Sequence, residues 1–287
     1  MRVLVIGATG KTGHAVTRAL ASRGIAVRAA VRSVDRQNMA YAAGARSISV
    51  VDLVSGAGLP AAVAGVDAVY HLAPNVHPDE VRMAERVAAA AAAEGRARFV
   101  FHSVLHPDDA SMPHHLRKAE AEHVVRGTVP GATVLRPAAY HQNLLEAARS
   151  GRLAVPYSLD SPFSNVDLDD VAEAAAVVLT RHGHEGLTYE LAGPEVLSVR
   201  EQAAVASEVL GHHVSAEHVS PDAWSAGPGT GLPEQARADL LAMFTAYDRE
   251  GLVGEADTLR RLLGREPRTW ADVLRAAGPV DGAATNR

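Results

Sequence analysis

The stretch GATGKTG, residues 7–13, decides the fold. Its Gly10-Lys11-Thr12 looks like the end of an ATP-binding phosphate loop, and its Gly7, Gly10 and Gly13 look like a dinucleotide fingerprint. An ATPase loop needs a glycine five residues ahead of the glycine in the Gly-Lys-Thr triplet. Here that position is Val5, inside an apolar run, so the triplet is a coincidence. A dinucleotide loop needs glycines for a tight turn, for close approach of backbone to pyrophosphate, and for close packing of helix on strand. The three glycines follow a strand pattern and open a helical one, where backbone N–H groups meet negative charge. The spacing G-x-x-G-x-x-G departs from G-x-G-x-x-G, so the context carries as much of the reading as the glycines do.

Working outward, strand-length apolar runs alternate with helical patterns. Strands are predicted over 2–6, 25–31, 47–51, 68–72 and 99–105, with a sixth beginning at 133–135. Helices are predicted over 13–23, around 39–43 and 59–64, over 79–94 closed at Gly95, and over 113–126 closed at Gly127. This alternation argues for an α/β protein, a Rossmann-type, doubly wound parallel sheet with helices on both faces. Beyond Tyr140 the rhythm loosens. The main boundary is placed near residue 145, giving a dinucleotide-binding domain over 1–145 and a smaller substrate-binding region over 146–287. A helix near 166–180 is expected to pack back on the first domain. A short strand is read at 187–192, helices at 199–210, 234–247 and 270–276, a flexible loop at 226–231 and a frayed tail over 278–287.

Composition narrows the class. A chain of 287 residues, 47% apolar, can bury a substantial core, and a net charge of −5 gives no reason to expect nucleic acid or an anionic membrane as partner. There are no cysteines, which excludes disulfides, cysteine nucleophiles and thiolate metal sites and fits a reducing compartment. The start MRVLVIG runs straight into a strand, and the alanine run near 87–93 is too short to span a bilayer, so the reading is a soluble, cytoplasmic protein. Of 28 basic residues only Lys11 and Lys118 are lysines. With so much Ala, Gly and Val this suggests a GC-rich genome, under which a retained lysine points to a need for a compact amine.

The end of the second strand selects the cofactor. NAD-binding folds often place an acid there for the ribose 2′-hydroxyl, and NADP-binding folds an arginine for the 2′-phosphate. Here the strand ends in Arg32-Ser33, with no acid before Asp35, so NADPH is expected; otherwise Arg32 is a solvated surface residue. Asp52, after the third strand, could accept from the adenine amino group or cap a helix, and Leu53 beside it joins the expected cofactor set. Thr9, Lys11 and Thr12 of the loop complete that set.

These residues, together with FVFHSVLHP (99–107), HHLRKAEAE (114–122), LRPAAYHQNL (135–144) and VDLDDVAEAAA (166–176), resemble the atypical short-chain dehydrogenases, specifically the NmrA-like family. The resemblance covers most of the first 180 residues. In short-chain dehydrogenases a serine follows the fifth strand and a Tyr-x-x-x-Lys pair lies on the next helix. The tyrosine protonates the carbonyl oxygen and the lysine binds the nicotinamide ribose. The resemblance therefore implies such roles for Ser103 and Lys118, but His114 stands at the tyrosine position.

His114 and Lys118 are four residues apart and share a helix face, with His115 turned away. The lysine charge would keep His114 neutral. The bland alternative for Lys118 is a surface ion pair with Glu122. Other proton sources are His106, Tyr140, or a phenolic hydroxyl of the substrate itself; a solvated loop histidine and a packed core tyrosine are the ordinary readings of the first two. His182-Gly183-His184-Glu185 and His212-His213 lack metal-ligand spacing, so no metal is expected, and there is no G-x-S-x-G. Asp169-Asp170 sit at a helix start, where capping explains them. Tyr157, Phe163, Trp224, Phe244 and Tyr247 are candidates for a pocket wall or for packing.

The resemblance and the residues together give an NADPH-dependent carbonyl reductase, acting on a ketone or quinone of mid-sized, aromatic polyketide-like form. Two alternatives stand beside it: a non-catalytic NADP(H)-sensing regulator, and a quinone or enone reductase that needs no alkoxide proton. Oligomeric state is left open.

Overall fold

The computed structural model of the chain describes residues 1–74, 76–95 and 98–278. Strands β1 (Arg2–Val5), β2 (Ala26–Val31), β3 (Ser47–Val50), β4 (Ala68–His71), β5 (Arg98–His102) and β6 (Thr133–Pro137) alternate with helices α1 (Lys11–Ala21), α2 (Gln37–Ala42), α3 (Leu59–Val63), α4 (Glu80–Ala93) and α5 (Pro113–Thr128). There follow α6 (Leu145–Arg149), β7 (Arg152–Val155), α7 (Leu168–Thr180), β8 (Thr188–Leu191), α8 (Val199–Leu210), β9 (Ser215–His218), α9 (Pro221–Ala226), α10 (Glu234–Glu250), α11 (Asp257–Leu263) and α12 (Trp270–Ala277).

Seven strands form one sheet in the order β3-β2-β1-β4-β5-β6-β8, with every pair parallel. The chain winds from β1 out to β3, then crosses to β4 on the other side of β1, so the strand order reverses between β1 and β4. Both faces are covered, which is why the central strands are apolar without alternation. Val3, Val5, Tyr70 and Val100 pack on the face that carries α1 and α7; Leu4, Ile6, Val69, Phe99 and Phe101 pack on the face of α3, α4 and α5. In register, Val5 lies beside Tyr70 and Tyr70 beside Val100.

Several boundaries differ from the sequence reading. β5 ends at His102, although Ser103 N–H and Leu105 N–H still donate to the carbonyls of Leu135 and Pro137 along β6. Gly127 does not close α5, which runs to Thr128; a side chain there would meet nothing within 4 Å. The strand expected at 187–192 is β8, and it joins the main sheet beside β6. The helix expected to pack back is α7, which lies along α1. β7 and β9, unread in the sequence, pair in a small parallel sheet. α6, α8 and α12 pack around β7 in a separate core centred on the buried Trp270.

Asp169 and Asp170 do not cap α7. Asp170 is wholly buried and accepts from Arg265 at 2.8 Å and from Arg268 at 2.5 Å, while Asp169 pairs with the exposed Arg18 at 2.6 Å. The tail expected over 278–287 lies, beyond Gly278, outside the described residues. Among the described residues no helix is long and apolar enough to cross a membrane.

Candidate active site

The loop of residues 7–13 turns from β1 into α1, whose amino end has no side-chain cap and no acid in its first turn. Its first N–H groups therefore lack intrahelical acceptors and stand at the positive end of the helix dipole. The three glycines differ in what demands them. Gly7 has φ +78°, and a Cβ there would lie 2.9 Å from the Leu72 carbonyl oxygen. A Cβ at Gly13 would overlap the Gly7 carbonyl, so this glycine lets helix and strand close on each other. At Gly10 the nearest protein atom would be 3.4 Å away, so the protein itself does not require glycine there. What Gly10 leaves open is the outer surface of the loop.

Beside that surface lies an open cleft of about 430 Å³, walled by Thr9, Gly10, Lys11 and His14 on one side and by Gln142, Leu168 and Asp169 on the other. Lys11 Nζ donates to Asn143 Oδ1 at 3.1 Å, and partial burial lowers its pKa. Thr12 is buried beneath the loop, where its side chain bonds that of Tyr140.

At the end of β2, Arg32 is exposed, and Ser33 is the N-cap of a 3₁₀ turn whose N–H groups its side chain does not bond. Asp52 is neither a helix cap nor idle: it accepts from Val54 N–H at 2.9 Å and Ser55 Oγ at 2.6 Å, closing a turn. The Ser55 bond is the main reason its carboxyl stays below the usual range. Leu53 packs on the α3–α4 core.

The residues expected to handle the substrate oxygen are committed to different partners. Ser103 Oγ donates to Glu122 Oε1 at 2.5 Å, and Glu122 is gripped by Arg136 through Nε at 3.0 Å and Nη2 at 2.7 Å. The alternative pairing of Lys118 with Glu122 is thus corrected: Lys118 pairs with the buried Glu80 of α4, and donates to the His102 carbonyl at 3.2 Å. The reason is geometric. The Lys118 ammonium lies against α4 and the end of β5, whereas Glu122, one turn on, meets β6.

His114 is buried, and its pKa falls to about 3, first through that burial and then through His115; Lys118 is a lesser contributor than the sequence reading assigned. His115, one position on along the helix and so turned from the face of His114 and Lys118, does not reach solvent. It is buried, with its ring centroid 4.5 Å from that of His114 and its Nδ1 bonded to the His106 carbonyl at 3.0 Å. His106 has a left-handed backbone, φ 52°, and its Nε2–H donates to the Val253 carbonyl at 2.7 Å.

Tyr140, expected as a proton source, has two partners that the sequence reading did not name. Tyr70, the last residue but one of β4, His102 at the end of β5 and Tyr140 after β6 form a hydrogen-bonded row: Tyr70 Oη lies 2.5 Å from His102 Nδ1, and His102 Nε2 lies 2.8 Å from Tyr140 Oη. Burial, with Lys118 and His71, lowers the His102 pKa to about 3, and burial raises both tyrosines. The signal available was a tyrosine near the end of one apolar strand, VYH, and a histidine ending its neighbour, FVFH. Tyr157, Phe163, Trp224, Phe244 and Tyr247, scattered in sequence, form one aromatic cluster with ring centroids 4.8–6.0 Å apart. Among the described residues no group of three His, Asp or Glu is placed to hold a metal ion.

Comparison with known proteins accords with this arrangement. The sequence profile of the NmrA-like family matches residues 1–272. An NAD(P)H azoreductase of Xenophilus azovorans is 30% identical over 98% of this chain and 100% of its own length. A (4-alkanoyl-5-oxo-2,5-dihydrofuran-3-yl)methyl phosphate reductase of Streptomyces griseus is 32% identical over 94% of this chain and 95% of its own. The crystal structure of an NADPH-dependent quinone oxidoreductase from Escherichia coli, complexed with NADPH, superposes with a TM-score of 0.82 at 25% identity, covering 96% of this chain and 99% of that one.

Proposed function

The chain belongs to the NmrA-like family, and from that premise we propose that it is an NADPH-dependent reductase whose preferred acceptor is a quinone or similarly conjugated system. The loop fits the cofactor: Gly7 and Gly13 shape it, Gly10 admits the pyrophosphate to the open N–H groups of α1, and Lys11 stands at the rim. Arg32, with Ser33, offers a fork of donors to the 2′-phosphate. Asp52 and Leu53 flank the adenine, Asp52 with the lone pairs its turn leaves free. An ammonium has three donors; Lys118 gives one to the His102 carbonyl and ion-pairs with Glu80, and a further donor is for a ribose hydroxyl. When bound, NADPH supplies the hydride.

The choice of acceptor rests on Ser103. Its hydroxyl proton is held by Glu122, itself clamped by Arg136, so it is not free for a substrate oxygen. His114 is neutral and buried against His115. A plain ketone leaves a localised alkoxide that must take up a whole proton, and more than a hydrogen bond is needed to supply it. A quinone, an azo group or an enone spreads the charge over a conjugated system. The segments after residue 145 act as the substrate region, and a planar substrate of mid-sized, polyketide-like form would meet the aromatic cluster at its less buried members, Tyr157 and Trp224.

The test is loss of reduced-coenzyme absorbance with matched quinones, enones, azo dyes and isolated ketones, alongside calorimetric titration of NADPH and NADH. Quinone turnover with little or no ketone turnover is expected. Ketones reduced as fast as quinones would overturn the acceptor class. Tight NADPH binding without turnover of any acceptor would make the chain a sensor.

A further inference from the structure

We propose that the Tyr140 hydroxyl is the hydrogen-bond donor to the substrate oxygen on which negative charge builds, and that His102 and Tyr70 are positioning residues that hold its proton outward. This assignment rests on the reductase reading above.

The argument is one of counting protons. Tyr70 is wholly buried, and its hydroxyl meets His102 Nδ1 at 2.5 Å. His102 is buried and neutral at physiological pH, so its ring carries one N–H and one lone pair. Two arrangements are open. In the first, Tyr70 O–H donates to Nδ1, Nε2–H donates to Tyr140 Oη at 2.8 Å, and the proton of Tyr140 is left over. In the second, Nδ1–H donates to Tyr70 Oη and Tyr140 donates inward to Nε2, which leaves the buried Tyr70 O–H with no acceptor.

An unsatisfied buried donor costs about 1–3 kcal/mol. The row therefore settles in the first arrangement, and the Tyr140 proton points away from His102. Among the described residues its remaining side-chain partner is the Thr12 hydroxyl, which can accept that proton or donate to the phenol oxygen; by donating, it leaves the Tyr140 proton for a substrate.

Position agrees with protonation. Tyr70 is the last residue but one of β4, and Thr12 lies in the first turn of the helix after β1, so the row stands in the crevice at the carboxyl ends of the strands where the order reverses. Ligands of open α/β sheets occupy that crevice. Tyr140 itself is half-buried, with an aromatic ring rooted in the core and its polar tip toward the loop. The row supplies what Ser103 cannot: a donor whose orientation is fixed before the substrate arrives.

Nitrogen-detected NMR of selectively labelled histidine in the coenzyme-free protein reads the tautomer directly. His102 should carry its proton on Nε2, and Tyr70→Phe, which removes the donor to Nδ1, should give a mixture of the two forms. In the quinone assay Tyr140→Phe should lower kcat by about 100-fold, the scale of removing one preorganised donor, with the calorimetric NADPH affinity unchanged. His102→Leu should lose a similar factor, and His102→Gln, which keeps an N–H toward Tyr140, should recover part of it. Circular dichroism identifies any variant that fails to fold. An Nδ1–H tautomer in the native protein, or wild-type kcat in Tyr140→Phe, overturns the assignment and leaves the reductase reading standing. Failure of the native protein to bind NADPH overturns the reading beneath it, while the tautomer measurement still reports on the row.

Discussion

Gly10 and Gly13 sit three residues apart in one loop, and substitution should separate their roles. Gly10→Ala places a methyl group 3.4 Å from its nearest protein neighbour, at an extended backbone (φ −82°, ψ 165°) that alanine adopts without strain, so the melting temperature should hold. The methyl would stand on the surface offered to the pyrophosphate, so calorimetry should show NADPH binding weakened at least tenfold, about 1.4 kcal/mol. Gly13→Ala drives a methyl into the Gly7 carbonyl and should cost about 1–3 kcal/mol of stability by overpacking. Equal thermal losses in the two variants would show that both glycines are structural. Arg32→Ala should raise the KM for NADPH by about 10- to 100-fold, as expected for lost bonds to a charged group, and leave NADH nearly unchanged. Both readings were open in the sequence, because a glycine loop and an arginine at a strand end act through local geometry. Ser103 and Lys118 were singled out by resemblance. Their partners Glu122, Arg136 and Glu80 were not, because those come from three different elements whose approach no local pattern encodes.

At the scale of elements, the long central ones were legible and the short peripheral ones were not. β1, β4 and β5 are unbroken apolar runs because both faces of the sheet are buried. β7 and β9 have four residues each, and the Ser-Ala-Glu-His of β9 has no apolar alternation; they exist because they pair with each other. Asp170 is the clearest case of tertiary context overriding a local rule. Its position in the first turn of α7 suggests electrostatic capping, yet the carboxylate faces inward and anchors the segment 265–268, which leads into α12. Arg268 gives it both a guanidinium bond and a backbone N–H, and also pairs with Asp167 at 2.9 Å. Arg268→Met should therefore cost about 1.5–3 kcal/mol, the value of bonds to a buried charge, measured by urea unfolding. Loss of this anchor should loosen the Trp270 core first, so indole fluorescence should change before far-ultraviolet circular dichroism does. Coincident transitions in the variant would mean that the small core and the sheet unfold as one unit.

Taken whole, the molecule hides several histidines from protonation, and this sets its stability at low pH. Burial is the main cause in each case: it lowers His71, His102 and His114 to about 3 and His141 to about 4. Among the described residues, His71 and His141 have no hydrogen-bond partner for either ring nitrogen; each stacks on an aromatic ring, Phe101 at 5.7 Å and Trp270 at 5.3 Å. An unfolded histidine takes up its proton near pH 6.5, so below that the unfolded chain binds protons the folded one refuses. Stability from these groups is complete above about pH 6.5 and is lost as pH falls toward the folded values. At pH 5 each should contribute a loss of about 2 kcal/mol, or roughly 8 kcal/mol for the set. That is comparable to the whole margin of about 5–15 kcal/mol that holds a typical domain together. Asp170 has the opposite sign, since its raised pKa makes the folded state the better proton acceptor above the ordinary carboxylate value, and it offsets only a little of the loss. The protein should therefore unfold cooperatively between about pH 6 and pH 4. His71→Leu should move that acid midpoint lower, retaining about 2 kcal/mol more stability at pH 5 than the native chain relative to each at neutral pH. Urea titrations at a series of pH values read both slopes. An unchanged slope in His71→Leu would mean that His71 accepts its proton in the folded state, and that water reaches the buried ring.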